Sequence, residues 1–323
     1  MRFLFLLALC GLPLLLTGCA NGMFYFPDHV DYEPRLVTPV VHNEVWIKTS
    51  DGLSINGWWL PAQTSVEQPA AKATVVFLHG NAQNLTAHVA YVDWLPAAGY
   101  NVLIVDYRGY GRSPGQPSRQ GVLDDARAAY FFAHDHPGVN PEKMILFGQS
   151  LGGANALTLA GRERLPGLKA VVADSAFSNY GRIAREKMAQ IPVLVWLLWP
   201  FSPLIVSSGL SPDRTVDKIA PTPLLLIAGD HDEVVPPSHS ERLYQMAGNP
   251  RQLWMIQGAG HTEAFGRFRA IMMPPLLQFL DDALNDDASR QGSSNQVNQN
   301  QVNQSQVKLF PDAQGNLPGA PVQ

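Results

Sequence analysis

Cysteine is nearly missing from this chain, which has only Cys10 and Cys19 among its 323 residues. No spacing of Cys and His typical of a metal site occurs, so we expect no bound metal. Clusters of Lys and Arg are also missing: charged residues make up 15% of the chain, and the formal net charge is −4. A nucleic-acid partner would need a basic surface, so we expect none.

The chain also lacks a hydrophobic run long enough to cross a bilayer. The apolar run from Phe3 to Leu16 is shorter than the ~20 residues that a membrane-spanning helix needs, and Gly11 and Pro13 interrupt it. Its proportions are typical of the hydrophobic region of a signal peptide.

The sequence Leu16-Thr17-Gly18-Cys19-Ala20 ends this run and resembles the lipobox of bacterial lipoproteins. The resemblance implies that residues 1–18 are a signal peptide and that Cys19 is acylated, which would anchor the protein to a membrane of the bacterial cell envelope. Ala20 after the cysteine implies the outer membrane if the host is Gram-negative. The alternative is a short amino-terminal membrane anchor with a chance cysteine.

The rest of the chain divides into three parts. Residues 19–40 contain proline and aromatic residues and are predicted to be a tether, and residues 41–285 are predicted to be one folded domain. Residues 286–323 include a stretch rich in Gln and Asn, which cannot bury enough apolar surface to offset the entropy of ordering. We therefore expect a disordered tail there.

Alternating strands and helices are predicted within the domain. Residues 41–49 and 53–60 alternate apolar and polar positions around a turn, which favours an antiparallel hairpin at a sheet edge. The short runs that are apolar on both faces, as in a covered parallel sheet, are 74–78, 101–105, 144–147, 170–173, 223–228 and 252–256. Helix-length segments such as 123–134 and 238–247 lie between them, and this pattern predicts a doubly wound, mostly parallel α/β sheet.

A candidate nucleophile lies in Gly148-Gln149-Ser150-Leu151-Gly152, between a predicted strand and a predicted helix. A serine in this G-x-S-x-G pattern lies on a strained turn that exposes its hydroxyl. It can attack an acyl carbon if a base lies beside it. The alternative is a glycine-rich turn without chemistry, but the flanking strand and helix favour the nucleophile.

Two other kinds of group are expected at the ends of other strands. One is a set of N–H donors that could stabilise an oxyanion, and the other is a base that could accept the serine proton. The turn His79-Gly80-Asn81 follows an early strand, and the backbone N–H groups of Asn81 and Leu151 are the candidates for an oxyanion hole. We expect His79 to be structural. His261 lies on a glycine-flanked loop after the last strand and is the expected general base. The histidines expected to be solvated are His134, His136, His231 and His239.

Four acidic residues could orient that base. Asp230, Asp232 and Glu233 lie on the loop after one predicted strand, and Asp174 lies just after the preceding one. Position alone favours Asp232 over Asp230, which is closer to the strand and better placed to brace the loop, but it leaves the choice open.

The chain order Ser, Asp, His resembles that of the α/β-hydrolases from about Phe24 to Leu284. The motifs that carry the resemblance are Tyr25-Phe26-Pro27, Asp51-Gly52 with Gly57-Trp58, His79-Gly80-Asn81-Ala82, Asp106-Tyr107-Arg108-Gly109-Tyr110-Gly111, Gly148-Gln149-Ser150-Leu151-Gly152-Gly153, Asp232-Glu233-Val234-Val235-Pro236 and Gly258-Ala259-Gly260-His261. The resemblance implies an α/β-hydrolase fold, places the acid at Asp232 and makes the motif at 106–111 architectural. The first loop is similar to that of a branch with membrane-associated depalmitoylating thioesterases, whose different membrane anchor leaves the substrate class open.

An insertion at about residues 176–222 is expected to form a short helical cap. Its run Ile191–Phe201 is apolar on all sides. This run could be a helix packed over the sheet, or a wall that binds an acyl chain and faces the membrane.

The combined expectation is a lipid-anchored serine hydrolase that forms an acyl-enzyme at Ser150 and needs no cofactor. The expected partner is a small-molecule ester or thioester with an apolar acyl group. A serine peptidase of the same fold and a non-catalytic envelope scaffold remain alternatives.

Overall fold

The computed structural model describes residues 24–33, 40–190, 208–292 and 306–313. The predicted signal peptide, Cys19 and the apolar run Ile191–Phe201 lie outside the described residues. Along the described ranges, no helix combines the length and the apolar composition that a membrane crossing requires.

The described residues contain two β-sheets. In chain order the strands are β1 (Phe26–Pro27), β2 (Asn43–Lys48), β3 (Ser54–Leu60), β4 (Ala73–Leu78), β5 (Ala82–Gln83), β6 (Tyr100–Val105), β7 (Met144–Gln149), β8 (Leu168–Asp174), β9 (Leu224–Gly229), β10 (Arg251–Ile256) and β11 (Gln306–Phe310). Strands β1 and β5 pair with each other, and the other nine form the central sheet in the order β11-β10-β9-β8-β7-β4-β6-β3-β2.

The central sheet is parallel except at one edge, where β2 pairs antiparallel with β3 and β3 pairs antiparallel with β6. Strands β4, β6, β7 and β9 are buried along their whole length, as expected for apolar strands covered on both faces. The predicted doubly wound sheet and its edge hairpin are confirmed.

Helices cover both faces of the sheet. They are α1 (Leu85–His88), α2 (Arg119–His134), α3 (Leu151–Arg162), α4 (Tyr180–Ala189), α5 (Ser238–Met246) and α6 (Arg269–Gly292). Residues of α2, α3, α4 and α5 join the core on one face, and residues of α6 join the core on the other. The predicted cap region contains α4 and the short 3-10 helices Pro212–Arg214 and Val216–Ile219.

The predicted tether is wrong for the segment Phe24–Glu33, which packs onto the domain. Phe24 and Tyr25 are buried, and β1 pairs with β5. The N–H of Gly111 donates a hydrogen bond of 2.8 Å to the carbonyl oxygen of Asp28. Burial of two aromatic side chains and these backbone hydrogen bonds offset the entropy of ordering the segment.

The predicted disordered tail is wrong in two places. Helix α6 continues to Gly292, and β11 pairs in parallel with β10. The ring of Phe310 lies 5.1 Å from that of Trp254, so β11 has its own packing partner. The Gln- and Asn-rich composition of the region concealed this short run of apolar residues.

Candidate active site

Ser150 lies on the sharp turn between β7 and α3, with φ 54° and ψ −115°. A side chain held there costs on the order of 1–3 kcal/mol, and the surrounding structure must enforce it. A Cβ atom added to Gly148 would collide with the backbone of Gly152, and one added to Gly152 would collide with the backbone of Leu78. Both glycines are therefore required by the close approach of strand and helix.

His261 links Ser150 to Asp232. Its Nε2 lies 3.0 Å from the Oγ of Ser150, and its Nδ1 lies 2.7 Å from Oδ2 of Asp232. Because an ionised carboxylate only accepts, Nδ1 carries the proton and Nε2 is free to accept one from the serine. The structure thus brings together the three side chains that the sequence singled out.

Asp232 is held in place by its own loop. Its side chain is fully buried, and its Oδ1 accepts hydrogen bonds from the N–H groups of Val234 and Val235, at 2.9 and 2.8 Å. Both carboxylate oxygens therefore have partners, and the buried negative charge can stabilise an imidazolium at His261.

The other three acidic candidates do not contact His261. Oδ1 of Asp230 accepts the N–H of Gly258 at 2.7 Å, so Asp230 braces the histidine loop. Asp174 is buried, which raises its pKa to about 6, and its Oδ1 lies 3.1 Å from the hydroxyl of Ser175. Glu233 is exposed. Of the four candidates, Asp232 is the one whose carboxylate contacts His261.

Asn81 and Leu151 line the same cavity as Ser150, and hydrogen bonds orient the peptide groups on both sides of Asn81. Nδ1 of His79 lies 2.8 Å from the carbonyl oxygen of Gly80, which belongs to the peptide group that carries the N–H of Asn81. The carbonyl oxygen of Asn81 accepts from the N–H of Phe26 at 2.8 Å and from the hydroxyl of Tyr110 at 2.7 Å.

The comparisons with known proteins agree with this geometry. Residues 69–219 match the family described as Hydrolase_4, serine aminopeptidase, S33. YfhR of Escherichia coli K12 is 37% identical over 283 residues, in an alignment that covers 87% of this chain and 94% of YfhR. This chain belongs to the α/β-hydrolase superfamily.

One further relative and one solved structure are also similar to this chain. The α/β hydrolase domain-containing protein WAV2 of Arabidopsis thaliana is 28% identical over 252 residues, which cover 75% of this chain and 79% of WAV2. An esterase of Pyrococcus furiosus has the same fold, with a TM-score of 0.63 at 23% identity over 80% of this chain and 97% of the esterase. The predicted α/β-hydrolase fold is confirmed.

Several hydrogen bonds hold the His261 loop of this α/β hydrolase. The N–H of Thr262 donates to the hydroxyl of Ser175 at 3.1 Å, and the N–H of His231 donates to the carbonyl oxygen of Ala259 at 3.0 Å. Ser175 and Thr262 both have positive φ, at 54° and 58°. Ser175 could not be predicted from the sequence, because no motif marks a serine whose role is to hold another loop.

The histidines outside the triad divide into buried and accessible groups. His79 is fully buried, which lowers its pKa well below the usual range and keeps the ring neutral. The expectation that His239 is solvated is wrong. It is buried because its Nδ1 accepts the N–H of Ser178 at 2.9 Å and its Nε2 lies 2.7 Å from the carboxylate of Glu186. His231 is exposed, and His134 and His136 are partly exposed.

His88 lies next to the nucleophile turn, and no sequence motif marks it. Its Nδ1 lies 3.2 Å from Oε1 of Gln149, the residue before Ser150, and its Nε2 lies 3.0 Å from the carbonyl oxygen of Ala82. Burial lowers its pKa. His88 therefore connects the backbone just after the turn at residues 79–81 to the end of β7.

An apolar cavity of about 320 Å³ opens beside Ser150. Its lining residues come from the amino-terminal segment, the turn at residues 79–81, the turn at Ser150, the cap and the Asp232 loop. They are Phe24, Phe26, Asn81, Ser150, Leu151, Phe177, Ile183, Ala184, Lys187, Val234 and Val235. Helix α4 of the cap thus forms one wall. Among the described residues, no group of His, Cys, Asp and Glu is arranged to hold a metal ion.

Proposed function

We propose that this α/β hydrolase is a lipid-anchored serine hydrolase that cleaves esters or thioesters with an apolar acyl group. The observation that carries the proposal is the hydrogen-bonded series Asp232, His261, Ser150, which ends at the wall of an apolar cavity. A nucleophile and an acyl-sized apolar cavity are the two parts that such a reaction needs.

In the proposed mechanism, the Ser150 hydroxyl attacks the acyl carbon while its proton passes to Nε2 of His261. Asp232 stabilises the imidazolium that forms. The tetrahedral intermediate collapses to an acyl-enzyme, and the leaving alcohol or thiol takes the proton from His261. Water then attacks the acyl-enzyme by the same route and releases the carboxylic acid.

The backbone N–H groups of Asn81 and Leu151 are proposed to bind the oxyanion of both tetrahedral intermediates. Such donors act in a site from which water is largely excluded, and loss of one donor typically costs ~10²–10³ in kcat. The contacts of His79, Phe26 and Tyr110 with the neighbouring peptide groups support this role, because they fix the peptides before the substrate binds.

The cavity favours an acyl chain over the ammonium group of an aminopeptidase substrate. Of the described residues that line it, Lys187 is the one with a charged side chain, and the rest of the wall is mainly Phe, Ile and Val. A cation at this position repels the α-ammonium group that an aminopeptidase has to bind. We therefore prefer an ester or thioester, although the matching family description includes aminopeptidase.

The lipid anchor is proposed from the sequence around Cys19. Thr17 and Gly18 directly before this cysteine, at the end of an apolar run, support cleavage at that point and acylation of the thiol. Mass spectrometry of the mature protein should find an acylated Cys19 as the first residue. A protein that still begins at Met1 would refute processing and with it the lipoprotein anchor in the cell envelope.

A labelling experiment tests the hydrolase proposal. The wild-type protein should react with a fluorophosphonate probe, Ser150→Ala should not, and Ser65→Ala should react like the wild type because Ser65 lies in an exposed loop. Wild-type protein that is folded but unlabelled would contradict the mechanism and favour a non-catalytic scaffold.

A substrate comparison then separates the two enzyme classes. The wild type is compared on two chromogenic substrates. p-Nitrophenyl octanoate reports esterase activity, and alanine p-nitroanilide reports aminopeptidase activity. We expect kcat/KM to be higher for the ester. A higher kcat/KM for the anilide would overturn the proposed substrate class and leave the serine mechanism intact.

A further inference from the structure

The amino-terminal segment Phe24–Glu33 is part of the active site as well as of the fold. Phe24 and Phe26 both line the cavity beside Ser150. The N–H of Phe26 also donates to the carbonyl oxygen of Asn81 at 2.8 Å. The chain therefore enters the folded domain at the wall of the acyl cavity.

Covalent geometry limits how far this wall can lie from the lipid anchor. Phe24 follows Cys19 by five positions in the sequence. A fully extended chain covers at most ~3.6 Å per residue, so the two Cα atoms can be no more than ~18 Å apart in any conformation. If Cys19 is acylated, the cavity lies close to the membrane surface.

The residues around the cavity suit that location. Phe26 and Val234 line it and are 55% and 47% exposed, and Val30 in the same amino-terminal segment is 44% exposed. Exposed apolar side chains at the mouth of a cavity are typical of surfaces that insert into the interface of a bilayer.

We infer that this enzyme takes its substrate directly from the membrane that holds its own anchor. The substrate class is a long-chain acyl ester resident in that bilayer, whose acyl chain enters the cavity past Phe26 and Val234. This inference rests on the proposed lipid anchor and serine hydrolase activity. A chain that moves from the bilayer into an apolar cavity is never exposed to water, so a short tether favours bilayer substrates over dissolved ones.

The test changes the length of the tether and leaves the site intact. The full-length acylated protein is reconstituted into phospholipid vesicles that contain 4-methylumbelliferyl palmitate, and p-nitrophenyl butyrate serves as the dissolved substrate. A flexible Gly/Ser spacer of about twenty residues is inserted after Asn21. The control has the same spacer after Val66, an exposed loop residue outside the cavity lining.

The spacer after Asn21 should lower turnover of the vesicle-bound palmitate ester by roughly tenfold, because effective concentration falls as about the −3/2 power of tether length. Turnover of the dissolved butyrate ester should not change. The spacer after Val66 should change neither. Wild-type enzyme should also be slower when the palmitate ester is in separate vesicles than when it shares the bilayer.

Three results would overturn the inference. One is a spacer after Asn21 that leaves both activities unchanged, and another is a spacer that lowers both equally, since the effect would then be unrelated to the bilayer. The third is a wild-type enzyme that hydrolyses the dissolved ester but not the vesicle-bound one, which would leave the proposed function standing. Failure on both substrates would instead refute the proposed function itself.

Discussion

Nδ1 of His79 lies 2.8 Å from the carbonyl oxygen of Gly80, and this contact orients the peptide group that carries the N–H of Asn81. Because a carbonyl oxygen only accepts, Nδ1 must be the protonated nitrogen of the neutral ring. His79 is thus a positioning residue for the proposed oxyanion hole, even though its ring takes no part in proton transfer.

Replacing His79 should slow the chemical step more than it weakens substrate binding. We expect His79→Leu to lower kcat by about 10²-fold with little change in KM, since a misaligned oxyanion donor acts mainly in the transition state. His79→Asn should retain most of the activity, because its side-chain amide can donate to the same carbonyl group. Steady-state kinetics on p-nitrophenyl octanoate, with Tm measured for both variants, checks this. Equal losses in the two variants would contradict the positioning role.

The neighbouring acids Asp230 and Asp232 should differ sharply in their effect on catalysis. Asp232→Asn should lower kcat by ~10⁴-fold, because the neutral amide neither stabilises the imidazolium nor selects the required tautomer of His261. Asp230→Asn keeps an acceptor for the N–H of Gly258 and should retain activity within about tenfold. Both variants are measured with the same octanoate ester. Similar kcat values for the two would refute the assignment of the acid.

The depth of the acyl cavity should respond to the side chain at position 184. Ala184 is buried in the cavity wall, so Ala184→Leu would fill space that an acyl chain otherwise occupies. The preferred chain should become shorter by roughly three carbons, because the added side chain contributes that many. A series of p-nitrophenyl esters from butyrate to dodecanoate measures the shift in kcat/KM. An unchanged chain-length profile would mean that the acyl group lies elsewhere.

Asp174 should make stability depend on pH in a predictable direction. Burial raises its pKa from 3.8 to about 6, so the folded state holds this proton over a range where the unfolded state has released it. The stabilisation from Asp174 is therefore complete below pH 3.8 and is lost as pH rises to about 6.

Asp174→Asn removes this ionisation. The Tm of the variant relative to wild type should thus rise between pH 4 and pH 7, by on the order of 5 °C. The control is Asp217→Asn, which makes the same substitution at an exposed position outside the core. A Tm difference for Asp174→Asn that stays flat or falls with pH would contradict a raised pKa at Asp174.

Neighbouring residues of β11 allow a partly buried and an exposed side chain of the same strand to be compared. Phe310 packs on the ring of Trp254, whereas Leu309 is 59% exposed. We expect Phe310→Ala to lower the free energy of unfolding by about 2 kcal/mol, less than a fully buried phenylalanine would. Leu309→Ala should change it by less than about 0.5 kcal/mol. Urea unfolding followed by tryptophan fluorescence compares them, and equal effects would mean that β11 does not pack as described.

The regular alternation of short apolar runs with helix-length segments allowed most of the fold to be predicted. Strands such as β4 and β9 are short, apolar on both faces and separated by helix-length segments, so a covered parallel sheet follows from composition and spacing. Ser150 and His261 were also predictable, because each lies on a glycine-flanked turn directly after a strand.

What the sequence did not predict depends on contacts between distant segments. The packing of Phe24 and Tyr25 needs a surface that exists only after the sheet has formed. The burial of His239 depends on Ser178 and Glu186, which lie 61 and 53 positions away. Strand β11 is short and follows a polar region. The overall composition of residues 286–323 is therefore polar, and it gives no sign of the strand.

The wide spacing of the triad in the chain has a consequence for the cell that makes this protein. Ser150 and His261 are 111 positions apart, and strand β7, which leads into the strained turn at Ser150, pairs with β4 and β8 on its two sides. A chain that is still being exported therefore has a serine without its base. Under the proposed export route, the chain is without hydrolase activity while it crosses the membrane, and activity can arise only once nearly the whole domain has been translocated.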